Sequence, residues 1–167
     1  MVPMRRSIAP LFALVALAAC GHRLQEVSPV PVVHYGLTYP PWPTGFSEEG
    51  GWLVGPDTAI TYSLSIISGP AGRSLWLGRF THHDSLGRAN WQLKRQAALP
   101  PLPPGYSFVS EDCTLDGRAD PRLLVFGRWE GDTLLNVRTA WLANLQVERI
   151  DTIPAARVHC AYVGDHD

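Results

Sequence analysis

The sequence predicts a mostly β fold: one small antiparallel meander or sandwich-like domain of short strands joined by tight turns. The clearest signal is "TAITYSLSII", in which apolar Tyr62, Leu64 and Ile66 alternate with Ser63 and Ser65, as in a strand buried on one face. Glycine and proline contribute 15 residues each to the 167, which indicates frequent turns. The 46% hydrophobic and 17% charged fractions are typical of a globular chain.

The first half of this domain predicts three strands. "SGPAGR" is a turn after the first strand, and "SLWLGRF" and "ANWQLKRQ" are the next two strands. Between them, Asp84 and Gly87 suit the first and last positions of a type I turn. "NWQLKRQAAL" could instead form a short helix, which makes an α+β domain the second choice. "LPPLPPG" predicts a rigid polyproline connection.

The second half repeats the pattern. "RLLVFGRW" and "LLNVRTAWL" flank "EGDT", which predicts a hairpin with Gly131 and Asp132 at its tip. "LQVERI" and "RVHCAYV" follow as further short strands. Repeated short strands with tight turns favour an antiparallel meander.

The N-terminal segment has the organisation of a secretory leader. Arg5 and Arg6 precede an apolar run of 12 residues, Ile8 to Ala19, which is shorter than the ~20 residues that span a bilayer. The run ends in Leu17-Ala18-Ala19-Cys20, which resembles the lipobox of bacterial lipoproteins.

The lipobox resemblance implies acylation of Cys20 and removal of a signal peptide spanning residues 1–19. Two or more acyl chains, palmitate among them, would hold the protein stably on a membrane. Gly21 follows the cysteine, whereas aspartate at this position favours the inner membrane of enteric bacteria. The resemblance therefore implies the periplasmic face of the outer membrane.

The predicted organisation has three parts: the signal peptide at 1–19, a lipidated, proline- and glycine-rich tether at 20–51, and the β domain at 52–167. The tether contains "TYPPWPTGF", which either is a motif for an aromatic groove or lays Trp42 and Phe46 on the domain's own surface. Without Arg5 and Arg6 the net charge moves from −1 to −3, so the mature chain has no basic patch for nucleic acid.

Two cysteines remain if Cys20 is lipidated. Because the compartment beyond the inner membrane is oxidising, Cys113 and Cys160 predict a disulfide. A reactive Cys160 activated by His159 is disfavoured, since adjacent residues on a strand point to opposite faces.

The stretch "DCTLDGRADPRLLV" offers a second interpretation. Asp112, Thr114, Asp116 and Asp120 follow the spacing of a calcium loop, with Gly117 at the sharp turn. The pattern resembles FG-GAP-type and dockerin-like loops, although it occurs once, has threonine at the third position and lacks the final glutamate. A plain turn whose aspartates bond their own backbone is favoured, and calcium is the alternative. We expect no other cofactor.

Motifs of catalysis are absent from the sequence, including the nucleophile elbow, the phosphate-binding loop and the zincin motif. His82 and His83 in "THHD" are interpreted as part of a solvated turn. We therefore expect no enzyme. Six tryptophans could form a sugar-stacking platform or fill the core.

The C-terminal third, with "DCTLDGRADPRLLVFG", "VRTAWLA" and "IPAARVHC", resembles lipoproteins of Gram-negative bacteria for which no function is established. These observations predict a non-catalytic binding or structural module of the envelope, whose partner is an envelope protein or peptidoglycan. The alternatives are a lipoprotein inhibitor of a secreted hydrolase such as lysozyme, and a calcium-dependent binding domain. The S-G-x-x-Y and T-K-G loops typical of lysozyme inhibitors are absent.

Overall fold

The computed structural model describes residues 33–55, 61–131 and 133–161. In these ranges the chain is a mostly β domain of antiparallel sheets, as predicted. The strands are β1 Thr38–Tyr39, β2 Ser47–Val54, β3 Tyr62–Gly69, β4 Gly72–His83, β5 Ala89–Ala98, β6 Tyr106–Val109, β7 Cys113–Leu115, β8 Arg118–Ala119, β9 Leu123–Glu130, β10 Thr133–Asn144, β11 Arg149–Ile153 and β12 Val158–Cys160. A 3₁₀ turn, Ala155–Arg157, precedes β12.

The strands form three sheets. The first has the order β1-β5-β4-β3-β2, the second β11-β10-β9-β6 and the third, smaller one β12-β7-β8. The two larger sheets pack face to face over one apolar core, because alternate residues of each strand point inwards. The fully buried members of this core come from both sheets: Val54, Leu64, Leu75, Leu77, Leu124, Phe126, Trp141 and Ala143.

Each larger sheet is also covered on its outer face. We call residues 33–46 the N-terminal cover; its Val33, Leu37, Trp42 and Phe46 pack against buried Trp76 and other residues of the first sheet. We call β7, β8 and β12 the disulfide cover, because its Cys113 and Cys160 pack against the second sheet. Burial on both faces explains why "LLVFG" in β9 is a continuous apolar run rather than an alternating one.

Several local predictions are confirmed. The "SGPAGR" turn joins β3 to β4, and the Gly87 amide donates to the Asp84 carbonyl at 3.0 Å in the β4–β5 turn. β9 and β10 form the predicted hairpin, although Asp132 at its tip lies outside the described residues. The segment that could have been a helix is strand β5, so the α+β alternative is not adopted.

The predicted boundary at Trp52 needs correction, because Trp52 lies in the middle of β2. The described part of the predicted tether, residues 33–51, supplies β1, most of β2 and the N-terminal cover. Its prolines do not prevent this, since Pro40, Pro41 and Pro43 lie in the connection between β1 and β2. The signal peptide, Cys20 and the first part of the tether lie outside the described residues. Within the described ranges no helix is long and apolar enough to cross a bilayer.

Candidate functional site

The disulfide joins the two cysteines predicted to form it. Cys113 on β7 and Cys160 on β12 are directly opposite in the antiparallel register, with Cα atoms 4.0 Å apart. Both side chains are buried against Leu123, Val125 and Leu134. Cys160 is thus part of a structural cross-link, which confirms the predicted pairing.

The aspartates of the candidate calcium loop do not converge. Asp116 and Gly117 form the two-residue turn between β7 and β8, both with positive φ (51° and 79°), which is the geometry of a type I′ hairpin. Thr114 donates its hydroxyl to the His159 carbonyl at 3.2 Å. The exposed Asp112 has a positive φ of 58°, and its carbonyl accepts from the Ala161 amide.

Arginines engage the other two carboxylates of this loop. The Arg157 guanidinium binds Asp116 and lowers the pKa of its carboxyl; Arg122 does the same for Asp120, with Nη2 at 2.6 Å from Oδ2. Asp120 also accepts from the Arg122 backbone amide at 3.0 Å. In the described ranges, no three acidic, histidine or cysteine side chains are grouped to hold a metal ion. The arrangement favours the turn interpretation.

The tryptophans do not form one platform. Trp76 and Trp141 are buried in the cores on either side of the first sheet, and Trp129 packs under the disulfide cover. Trp42 and Trp91 instead line a cleft at the outer face of the first sheet, and Trp52 borders it although its side chain packs against the core between the sheets and donates to the Pro121 carbonyl. This aromatic cleft is the strongest candidate site in the described part of the chain.

The aromatic cleft has a volume of about 280 Å³. Its residues are Tyr39, Pro40, Trp42, Glu48, Gly51, Trp52, Leu53, Ser63, Ser65, Ala89 and Trp91. The N-terminal cover supplies Tyr39 and Trp42, whose rings stack with centroids 4.6 Å apart. Strand β2 contributes Glu48, and β3 contributes Ser63 and Ser65. The site therefore exists only because the cover lies on the sheet.

Small residues make room for the larger side chains of the cleft. Gly78 on β4 is paired with Ser63, and a Cβ at Gly78 would overlap the Tyr39 hydroxyl oxygen and lie 2.8 Å from Ser63 Oγ. A Cβ at Gly51 would overlap the Glu48 carboxylate and lie 2.9 Å from Ser65 Oγ. These glycines are therefore needed for close approach of polar side chains to the sheet.

Two hydroxyls at this site lack hydrogen-bond partners. Tyr39 is 1% exposed and Ser63 5% exposed, and neither hydroxyl oxygen has a partner of hydrogen-bond geometry among the described residues. A buried polar group left unpaired costs about 1–3 kcal/mol. Burial raises the pKa of Tyr39 to about 12; the neighbouring Ser63 hydroxyl opposes the rise, and the charge of Glu48 adds to it. Tyr39 is consequently neutral at physiological pH.

Among the residues that the structure describes, Glu48 is the single charged side chain that lines the cleft. Within the described ranges it has no ion-pair partner, whereas its neighbour Glu49 binds Arg73 at 2.6 Å. The cleft thus combines apolar ring surface, one carboxylate and hydroxyl groups. The sequence signal for it is the Tyr39–Trp42 stretch, which composition alone assigned to a tether.

Comparison of the chain with models of protein families, with curated proteins and with solved structures finds no match. The geometry of the site and the sequence therefore carry the functional argument.

Proposed function

We propose that the protein is a lipid-anchored, non-catalytic binding module of the bacterial envelope, held by acylated Cys20 on the periplasmic face of the outer membrane. The support for the anchor is the order of Arg5 and Arg6, the apolar run, the small residues and Cys20. The Cys113–Cys160 disulfide agrees with an oxidising compartment. Gly21 after the cysteine supports the outer membrane.

The aromatic cleft is the observation that carries the binding part of this proposal. Small-molecule sites are concave and largely apolar, with a few polar groups that fix orientation, and they start at about 300 Å³. The cleft is about this size, and its lining divides evenly between apolar surface, such as the indoles, and polar groups, such as Glu48 and Ser65. Its wall is the N-terminal cover, which begins 13 residues after Cys20 at Val33. An extended chain of that length spans on the order of 45 Å, so the cleft would work close to the membrane.

The titratable groups of the cleft support binding rather than catalysis. Among the described residues Glu48 is its one carboxylate, whereas most glycoside hydrolases use two. Tyr39, with a pKa of about 12, stays protonated and cannot act as a base near neutral pH. The lining supplied by the described residues includes no histidine, cysteine or lysine.

Site-specific photocrosslinking in intact cells tests the binding role. A photoreactive residue replaces Leu53, which lines the cleft and is 52% exposed; the matched control replaces Val147, which is 58% exposed in the β10–β11 turn. We expect an envelope component to be captured from position 53 and not from position 147. Equal capture from both positions, or from neither, contradicts a binding role for the cleft.

Cell fractionation tests the anchor. The Cys20→Ser variant should leave the membrane fraction, because it has no thiol to acylate, while Cys113→Ser should stay there. Retention of the Cys20→Ser variant in the membrane contradicts lipid anchoring.

A further inference from the structure

We infer that the aromatic cleft binds a neutral saccharide, one pyranose ring stacked on indole and its hydroxyl groups bonded to Glu48 and Ser65. This inference rests on the proposed binding function and specifies the class of its ligand. Trp42, Trp91, Glu48 and Ser65 are the residues that carry it.

The aromatic surface is the first element. Trp42 and Trp91 are only half-buried, so part of each indole remains open to the cleft. Trp42 stacks on Tyr39 and makes an edge contact with Trp76, with ring centroids 5.8 Å apart. Trp91 is held by an edge contact with Phe80 at 5.7 Å. Rings fixed in this way offer rigid apolar faces, which match the C–H face of a pyranose.

The charge of the cleft is the second element. In the described part of the chain Glu48 is its one charged group, and no arginine or lysine lines it. Phosphorylated or carboxylated ligands would be repelled, because like charges at close range cost free energy. A carboxylate has two acceptor oxygens, which suit two neighbouring hydroxyls of an uncharged sugar.

The hydroxyl groups are the third element, and they separate a saccharide from an ammonium ion. Aromatic rings with one carboxylate also suit a quaternary ammonium ion. Such an ion has no group that can bond the hydroxyl of Ser65, which lines the cleft, whereas the hydroxyl oxygens of Ser63 and Tyr39 are buried beneath it. A sugar hydroxyl both donates and accepts, so it can pair with Ser65 as well as with the Glu48 carboxylate.

Ligand titration of the full chain tests the inference. The protein is purified in a detergent without a sugar head group, and intrinsic tryptophan fluorescence and calorimetry follow additions of diacetylchitobiose, cellobiose and maltose. We expect saturable binding of at least one disaccharide. Trp42→Ala and Trp91→Ala should each weaken it at least tenfold, and Trp129→Ala, which changes a tryptophan of the second sheet, should leave it within twofold.

Charge removal distinguishes the two ligand chemistries. Glu48→Gln keeps an acceptor for sugar hydroxyls, so saccharide binding should fall by less than about tenfold and remain detectable. Tetramethylammonium serves as the probe for the cation alternative. Binding of tetramethylammonium that Glu48→Gln abolishes, with no saccharide bound, overturns the inference; so does the absence of binding to every disaccharide. If position 53 still captures an envelope component, the binding role stands and the saccharide class is wrong.

Discussion

The two covers of the sandwich perform the same task by different means. The disulfide cover closes the outer face of the second sheet with buried Cys113 and Cys160 among aliphatic side chains. The N-terminal cover closes the outer face of the first sheet with aromatic stacking around Trp76. Both unpaired buried side-chain hydroxyls of the described residues, in Tyr39 and Ser63, lie at the N-terminal cover.

This difference separates stability from function within one small domain. The disulfide cover is apolar and covalently fixed, and it leaves no comparable group unsatisfied in the described residues. The N-terminal cover retains polar groups whose burial costs free energy and leaves a cleft beside them. Features that cost stability and persist are concentrated at functional sites in proteins. The comparison therefore supports the N-terminal cover as the binding region.

Removal of the disulfide should give the largest loss of stability. The bond closes a loop with a sequence separation of 47, for which the chain-entropy model gives about 4 kcal/mol. We expect the Cys113→Ser/Cys160→Ser variant to unfold on the order of 10 °C lower. Thermal unfolding of the variant and of the reduced wild-type protein measures the effect. A melting temperature within 2 °C of wild type would show that the disulfide cover is held by packing alone.

Gly78→Ala should break the N-terminal cover. The new Cβ would overlap the Tyr39 hydroxyl and come within 3.1 Å of Trp91 Cβ, so Tyr39 must leave its position. Overpacking of this kind costs about 1–3 kcal/mol. We therefore expect the free energy of unfolding, measured with denaturant, to fall by about 2 kcal/mol. Gly50→Ala on β2 is the matched control, because a Cβ there meets nothing within 4 Å. Equal stability of the two variants contradicts the described contact.

The strands that the sequence predicts well are those with complete periodic patterns. β3 to β5, β9 and β10 all carry alternation or apolar runs that local steric preferences favour. β1 and β2 escape prediction, since the first five residues of "SEEGGWLV" are all exposed and show no alternation, and the strand lies next to prolines. What makes residues 33–51 part of the fold is a long-range fit, Tyr39 above Gly78, and no local pattern encodes such a fit.

Alkaline pH should destabilise the N-terminal cover through Tyr39. Burial raises the pKa of Tyr39 to about 12, whereas in the unfolded chain it is near 10. Between these values the folded state holds a proton that the unfolded state releases, so stability is full below pH 10 and falls as pH rises. The slope is about 1.4 kcal/mol per pH unit. Denaturant unfolding from pH 8 to 11 should show that the free energy of unfolding declines in the wild-type protein and much less in Tyr39→Phe. Equal declines in the two proteins contradict the role of Tyr39.

At neutral pH, Tyr39→Phe should stabilise the protein. It removes a buried hydroxyl without a partner among the described residues, for a gain of about 1 kcal/mol. Tyr62→Phe is the control, because the Tyr62 hydroxyl donates to Glu148 at 3.1 Å and its loss should be neutral or destabilising. Equilibrium unfolding compares the two variants. A loss of stability in Tyr39→Phe would show that the hydroxyl is satisfied in solution.

The candidate site was less predictable than the fold. The sequence pattern of aspartates indicates a turn correctly, because Asp-Gly has an intrinsic preference for positive φ. The disulfide follows from cysteine counting once the resemblance to a lipobox sets Cys20 aside. The cleft does not follow, since it joins residues of the N-terminal cover, β2, β3 and β5 that are far apart in the sequence. Tryptophan content alone could not separate Trp42 and Trp91 from the buried Trp76 and Trp141.

The smallest expected effect concerns Asp120, which follows the disulfide cover. The Arg122 guanidinium holds the pKa of Asp120 below its ordinary value of 3.8. The unfolded chain therefore binds a proton first on acidification, so this stabilisation is present above about pH 4 and is lost as pH falls through the folded pKa. Asparagine at position 120 can still accept from the Arg122 amide, but it carries no charge. Asp120→Asn should therefore slightly reduce the loss of unfolding free energy as the pH falls.

Asp112→Asn is the control for that measurement, because the Asp112 carboxylate has no ion pair among the described residues and asparagine tolerates its positive φ. Denaturant unfolding from pH 2 to 6 compares the two variants. If both change stability at acid pH equally, the effect belongs to net charge and not to the Asp120–Arg122 pair. If Asp120→Asn alone changes stability at acid pH, the Asp120–Arg122 ion pair acts locally. An effect smaller than that of removing the disulfide then shows that the covalent bond contributes most of the stability on this side of the sandwich.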